Sequence, residues 1–140
     1  MKPLLIVFTL FLTLNLVAQN GSLETPTIAI KVANGKTIQL KGHSIKFVEV
    51  LEDSRCPEYV NCIWAGRARI LVEIKDESNK LIQKELLFGQ TRSGEIIDNS
   101  LFTAEDSIVK GLTLSPYPTS EENTEINSYR LLIEVEKGMD

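Results

Sequence analysis

Two residue types in this chain could do chemistry that the rest could not, and both lie within Asp53–Gly66. Cys56 and Cys62 are the only cysteines, in a C-x5-C spacing, and Trp64 is the only tryptophan. A cysteine pair so spaced admits three chemistries: a disulfide, two ligands of a metal site, or a redox pair. A short loop can bring two Cα atoms to the 5.5–6 Å that a bridge needs, and Pro57 stiffens its first step by fixing φ. Closing so small a ring removes on the order of 2 kcal/mol of chain entropy, so a bridge here would shape the loop more than hold up the fold. Structural zinc takes four ligands, usually Cys or His, and the chain adds only His43 to the two cysteines. The redox reading expects C-x-x-C, which is absent. The expectation is a Cys56–Cys62 disulfide, with no metal and no cofactor.

Trp64 follows Cys62 at i+2, so on a strand both side chains face one way. One reading packs Trp64 over the bridge as core, as in some β-sandwiches. The other makes Trp64, with Tyr59 and Arg55, an exposed anchor patch, because Trp, Tyr and Arg are enriched in binding hot spots. Arg67 and Arg69 alternate with Ala68 and Ile70 and read as an outer strand face or as a fork for an anion. The candidate binding residues are therefore Arg55, Tyr59, Trp64 and Arg67.

Other chemistry finds little support. The chain has no G-x-S-x-G, H-E-x-x-H, P-loop or dinucleotide fingerprint. Any Ser-His-Asp triad would need His43, which reads as a solvated turn residue beside Ser44. Asp98-Asn99-Ser100 with Glu105-Asp106 offers oxygen ligands for calcium but not the regular D-x-D-x-D-G spacing. Glu121, Glu122 and Glu125 read as a solvated loop. No catalytic residue is assigned.

The run Asp53-Ser54-Arg55-Cys56-Pro57, followed by Cys62 and Trp64-Ala65-Gly66, resembles the D-S-R-C-P…C-x-W-A-G signature of a family of small uncharacterised exported bacterial proteins. The later Leu114-Ser115-Pro116-Tyr117-Pro118, followed by an alternating final strand, is also similar to that family. The resemblance covers about a tenth of the chain. It implies export and a paired Cys loop, and carries no activity.

The N-terminus is consistent with export. Lys2 precedes an apolar run from Leu4 to Ala18, the pattern of a secretory leader, with cleavage expected near Ala18 or Gln19. Residues 1–19 read as the signal peptide and 20–140 as a single all-β domain, periplasmic or secreted, with no stable membrane span after cleavage. The net charge of −4 falls further once Lys2 is removed, which argues against nucleic acid and anionic membrane surfaces as partners. An oxidising compartment also suits the bridge.

Short alternating runs separated by turn residues must position the loop. Thr27–Val32 and Lys36–Lys41 read as a hairpin around Ala33-Asn34-Gly35, which pairs Ile30 with Ile38 and places Gly35 left-handed. Ile45–Glu52 is a strand whose alternation changes phase between Phe47 and Val48, predicting a bulge. Arg67–Lys75 and Leu81–Phe88 form a hairpin pairing Ile74 with Ile82 and Ile70 with Leu86; Lys84 opposite Val72 marks an edge. Residues 89–107 are hardest to read, with short strands or buried anchors at Glu95–Ile97 and Ser100–Phe102. Ile108–Leu114 is a strand weakened by Gly111. Tyr129–Glu136 alternates best, with Tyr129, Leu131, Ile133 and Val135 inward. Seven to eight short strands and no convincing helix predict an antiparallel β-sandwich or partly open barrel.

These features favour a non-enzymatic binding or envelope-associated module, using the bridged loop to meet a protein or a glycan. The alternatives are a protease inhibitor presenting the Cys56–Cys62 loop and a metal or thiol-redox protein.

Overall fold

The computed structural model describes residues 28–119 and 124–138. The leader, the linker to Pro26 and the pair Glu121 and Glu122 lie outside the described residues. Eight strands form in order: β1 (Ile28–Ala33), β2 (Thr37–Leu40), β3 (His43–Asp53), β4 (Arg67–Lys75), β5 (Leu81–Gly89), β6 (Ser100–Ala104), β7 (Ser107–Ser115) and β8 (Arg130–Lys137). A 3-10 turn, Ile126–Ser128, precedes β8. The strands make two four-stranded antiparallel sheets, ordered β1-β8-β7-β6 and β2-β3-β4-β5. The fold is an open β-sandwich and not a closed barrel.

The alternating sequences explain the core. Ala68, Ile70, Val72 and Ile74 of β4 face inward, opposite Leu131 and Ile133 of β8, and all are buried. Phe47 of β3 and Leu86 of β5, on the strands flanking β4, belong to the same buried cluster. β4 buries every second residue from Ala68 to Ile74, and β3, β5 and β8 do so over part of their length, which is what one core face and one outer face require. Tyr129, Leu131 and Ile133 are buried as the pattern of the last strand predicts, and Val135 packs against the core. Gly111 of β7 faces Leu86 at a point where an added Cβ would lie 2.7 Å from Leu86 Cδ1. The glycine that weakens β7 in sequence therefore lets the two sheets approach.

The β4–β5 hairpin has the expected register, with Ile74 opposite Ile82, Ile70 opposite Leu86 and Lys84 opposite Val72, and β5 is an edge strand. The phase change in β3 is a bulge between Phe47 and Glu49, followed by a second between Val50 and Glu52. The expected β1–β2 hairpin does not form. β1 pairs with β8, matching Ile30 to Ile133 and Val32 to Leu131, while β2 pairs with β3. The turn residues instead make a corner between sheets: Asn34 N–H donates to Tyr129 O at 3.0 Å in one sheet, and Gly35 N–H to Phe47 O at 2.8 Å in the other. Gly35 is left-handed as expected (φ +72°). The local turn suits both outcomes, and partners distant in sequence choose between them. Residues 95–97 form no strand, and Ile96 and Ile97 are exposed.

This topology sorts the connections. The short turns 41–42, 76–80 and 105–106 lie at one end of the sandwich, with both described chain ends, since Ile28 pairs with Val135. The long segments 54–66, 90–99 and 116–129 lead off the opposite ends of the strands.

Candidate functional site at the loop end

Cys56 and Cys62 are joined as a disulfide, with an S–S length of 2.05 Å and Cα atoms 5.9 Å apart. Neither sulfur is a free thiolate, so neither is available to ligate a metal. Backbone hydrogen bonds clamp the base of the loop. Ser54 N–H donates to Arg67 O at 2.7 Å, Cys56 N–H to Ala65 O at 2.8 Å and Gln90 N–H to Gly66 O at 3.0 Å. Glu58 N–H donates to Pro118 O at 2.9 Å, which ties the loop to the segment after β7.

Arg55 holds that junction, and its position corrects the expectation of an exposed anchor: the residue is 8% exposed. Its guanidinium donates through Nε and Nη2 to the two Asp53 carboxylate oxygens, at 2.8 and 2.7 Å. Nη1 donates to Leu114 O at 2.7 Å, and Nη2 also to Pro116 O at 3.0 Å. The guanidinium lies 5.0 Å from the Tyr117 ring centroid, within cation–π range. Asp53 Oδ2 also accepts the Tyr129 hydroxyl at 2.8 Å. A planar fork with five donors suits this arrangement, because it serves one carboxylate and two carbonyls at once. Arg55 thus links the Cys loop to the Leu114–Pro118 stretch, which follows from the opposite sheet and contains a cis Ser115–Pro116 bond.

Burial pushes the Asp53 carboxyl up, but the bonds from Arg55 and Tyr129 outweigh it and hold the group below its ordinary value of 3.8. A carboxylate with a depressed folded pKa contributes stability that is complete above its unfolded value and lost as pH falls through the folded one. Urea melts between pH 7 and pH 2.5 should therefore show stability falling below about pH 4, more steeply in the wild type than in Asp53→Asn. Equal slopes would refute the assignment.

Arg67 is a second correction. It points to the outer face of its sheet, as the alternation predicts, but is 0% exposed and offers no fork to a ligand. The 90–99 segment covers it: Nη1 donates to both Glu95 carboxylate oxygens, at 2.8 and 2.6 Å, and Nε to Glu52 Oε1 at 3.3 Å. Nη2 completes an ion pair 3.2 Å from Glu52 Oε2, without hydrogen-bond geometry. Arg69 is partly exposed, near Glu52 and Glu85. Asp98 does not gather calcium ligands. Lys84 Nζ lies 2.6 Å from it and, with the Ser100 hydroxyl and N–H, holds its carboxyl down to about 2. Asn99 spends its amide on the backbone of Leu87. His43 opens β3 with its ring stacked 3.9 Å from that of Phe102, so it is more than a solvated turn residue. Among the described residues no group of three or more His, Cys, Asp or Glu could hold a metal ion.

The tip of the loop is apolar and open. Tyr59 is 98% exposed and Ile63 fully exposed. Trp64, at 49%, precedes β4 and is not core over the bridge. Tyr59 is held at φ +66°, a region costly for a bulky side chain. The structure thus separates the four candidates: Tyr59 and Trp64 are on the surface, while Arg55 and Arg67 brace the loop from beneath. Ile63 had no sequence signal, because an isolated isoleucine in a loop reads equally well as a buried anchor, and Ile96, expected on a short strand or as a buried anchor, is exposed. Among the described residues no helix is long and apolar enough to cross a membrane. Comparison with family models, with curated proteins and with solved structures gives no match.

Proposed function

We propose that this is an exported, non-enzymatic binding module, periplasmic or secreted, that docks on a protein or glycan partner through the tip of its disulfide loop. Tyr59, Ile63 and Trp64 are the anchors. The observation that carries this reading is Tyr59, an aromatic side chain in full solvent exposure and in a left-handed conformation at the tip of a loop braced on both sides. Strain of this kind persists where the surroundings impose it, and such positions cluster at ligand clamps. The bracing also lowers the ordering cost of binding. Export is supported by the bridge, which suits an oxidising compartment, and by the apolar N-terminus. A protease inhibitor fits less well, because Glu58 and Tyr59 form a tight turn and not the extended segment that a protease cleft receives.

The test is a photo-crosslinker at Tyr59 in the native envelope, with one at Lys75 on the opposite end as control. A saturable adduct from the Tyr59 position alone, lost on Ile63→Glu, is expected. Tyr59→Gly should leave stability unchanged or raise it by up to about 1 kcal/mol, by relieving the left-handed backbone, while removing binding. Adducts that are equal from both positions, or insensitive to Ile63→Glu, would refute the reading.

A further inference from the structure

We infer that the Cys56–Cys62 bridge is a two-electron switch on the docking tip, opened by a dithiol, and not a staple of the sandwich. This regulation rests on the binding role proposed above. Three observations on the loop carry it.

The first is where the clamps lie. Among the described residues, the hydrogen bonds tying the loop to the sandwich stop at Glu58 on one side and Ala65 on the other. The four guanidinium bonds of Arg55 and the Ser54, Cys56 and Glu58 backbone bonds all involve groups other than the sulfurs. Opening the bridge breaks none of them. The second is what lies beyond the clamps. Tyr59, Ile63 and Trp64 are exposed, and within the ring Val60 N–H reaches only Pro57 O at 3.3 Å. Tyr59 lies inside the covalent ring and Ile63 and Trp64 follow directly on Cys62, so the bridge is what ties the Tyr59 arm to the Ile63–Trp64 arm. The third is access: Cys62 is exposed and Cys56 half-buried, so a reductant can reach the bridge without the sandwich opening.

The chemistry is thiol–disulfide exchange. A thiolate of the dithiol attacks Cys62 Sγ, the S–S bond breaks, and Cys56 leaves as a thiolate that takes a proton. The second thiol of the dithiol then attacks the mixed disulfide and releases Cys62. The dithiol is oxidised to a disulfide, the bridge is reduced by two electrons, and two protons pass to the cysteines. The donor class is a dithiol, either a small molecule or the paired cysteines of an oxidoreductase. Reduction gives the tip back its freedom in the folded state, so little of the entropic stabilisation of the ring is at stake in the fold itself.

The experiment treats the purified, oxidised mature chain with dithiothreitol in non-denaturing buffer. It follows alkylation by mass, the sheet signal by circular dichroism, and amide exchange along the loop. Trp64 emission reports the tip without labelling, since no other tryptophan competes. Expected are alkylation of both cysteines under native conditions, an unchanged sheet signal, and a Tm lowered by no more than about 10 °C. Exchange should speed up at least tenfold, roughly, within residues 59–64 and not at Ser54 or Arg67. The Cys56→Ser, Cys62→Ser double variant should match the reduced protein. A bridge that resists dithiothreitol until denaturant is added overturns the switch, as does loss of the sheet signal on reduction. The binding role fails separately if the oxidised Ile63→Glu variant yields the same Tyr59-position adduct as the wild type.

Discussion

Replacing Arg55 with leucine is expected to lower the free energy of unfolding by about 3–5 kcal/mol, the range for breaking a buried ion pair from one side. The loss has three parts. Asp53 keeps its Tyr129 bond but is left as a largely unpaired carboxylate in a mostly buried setting. Leu114 O and Pro116 O lose their donors. The Tyr117 ring loses the cation beside it. Arg55→Lys keeps the charge but cannot bridge a carboxylate and two carbonyls, so about half of the loss should remain. The double variant Asp53→Asn, Arg55→Leu should be more stable than Arg55→Leu alone, because it removes the stranded charge. Urea denaturation of the wild type, Asp53→Asn, Arg55→Leu and the double variant closes this cycle. A cost below about 1 kcal/mol for Arg55→Leu would mean that the loop and the 114–118 stretch are held together by something else.

Gly66→Ala is the second large effect, at about 3 kcal/mol or more. Gly66 sits at φ +70°, and a Cβ built there would lie 1.8 Å from Ser54 O and 2.6 Å from Ser54 C. The left-handed backbone alone costs an L-residue about 1–2 kcal/mol. The steric conflict adds to this, because it is with backbone and cannot be relieved by a rotamer change. The Ser54–Arg67 hydrogen bond would have to open, and the loop would shift against Gly89, whose own Cβ position is 2.7 Å from Gly66 O. Thermal unfolding with Trp64 emission as the local probe measures both consequences: a large fall in Tm and a tip signal already altered in the folded baseline. A normal Tm with an unaltered tip would show that the two strands of the loop do not pack as described. The glycine closing Trp64-Ala65-Gly66 is thus required by a close backbone approach.

These two residues mark how far the sequence could be read. The fold class, the bulge in β3, the β4–β5 register and the inward face of β8 all follow from period-two alternation and local turn chemistry, which the chain carries in full. The disulfide is legible from the spacing of the two cysteines. The β1–β2 pairing is not legible in the sequence, because a tight turn with a left-handed glycine fits a hairpin and a corner equally well. Only β8, a hundred residues away, supplies the better apolar partner for Ile30 and Val32. The site was half legible. Tyr59 and Trp64 stand at the surface, while Arg55, expected as an exposed anchor, and Arg67, expected on an outer face or as a fork for an anion, lie beneath it.

What the sequence by itself determined is everything that depends on neighbours in the chain: alternation, turns, the ring of the Cys loop and the glycines that close it. What only the tertiary structure decided is which charged residues meet partners. An arginine is exposed or buried according to whether carboxylates and carbonyls from other segments converge on it. For Arg55 two of those groups are Leu114 O, in β7 of the opposite sheet, and Pro116 O, just after it; for Arg67 one comes from a loop folded over its strand. Desolvating a guanidinium is costly unless its donors are satisfied, so these long-range contacts, invisible to any local pattern, turned two candidate ligands into braces and left the tip to Tyr59, Ile63 and Trp64.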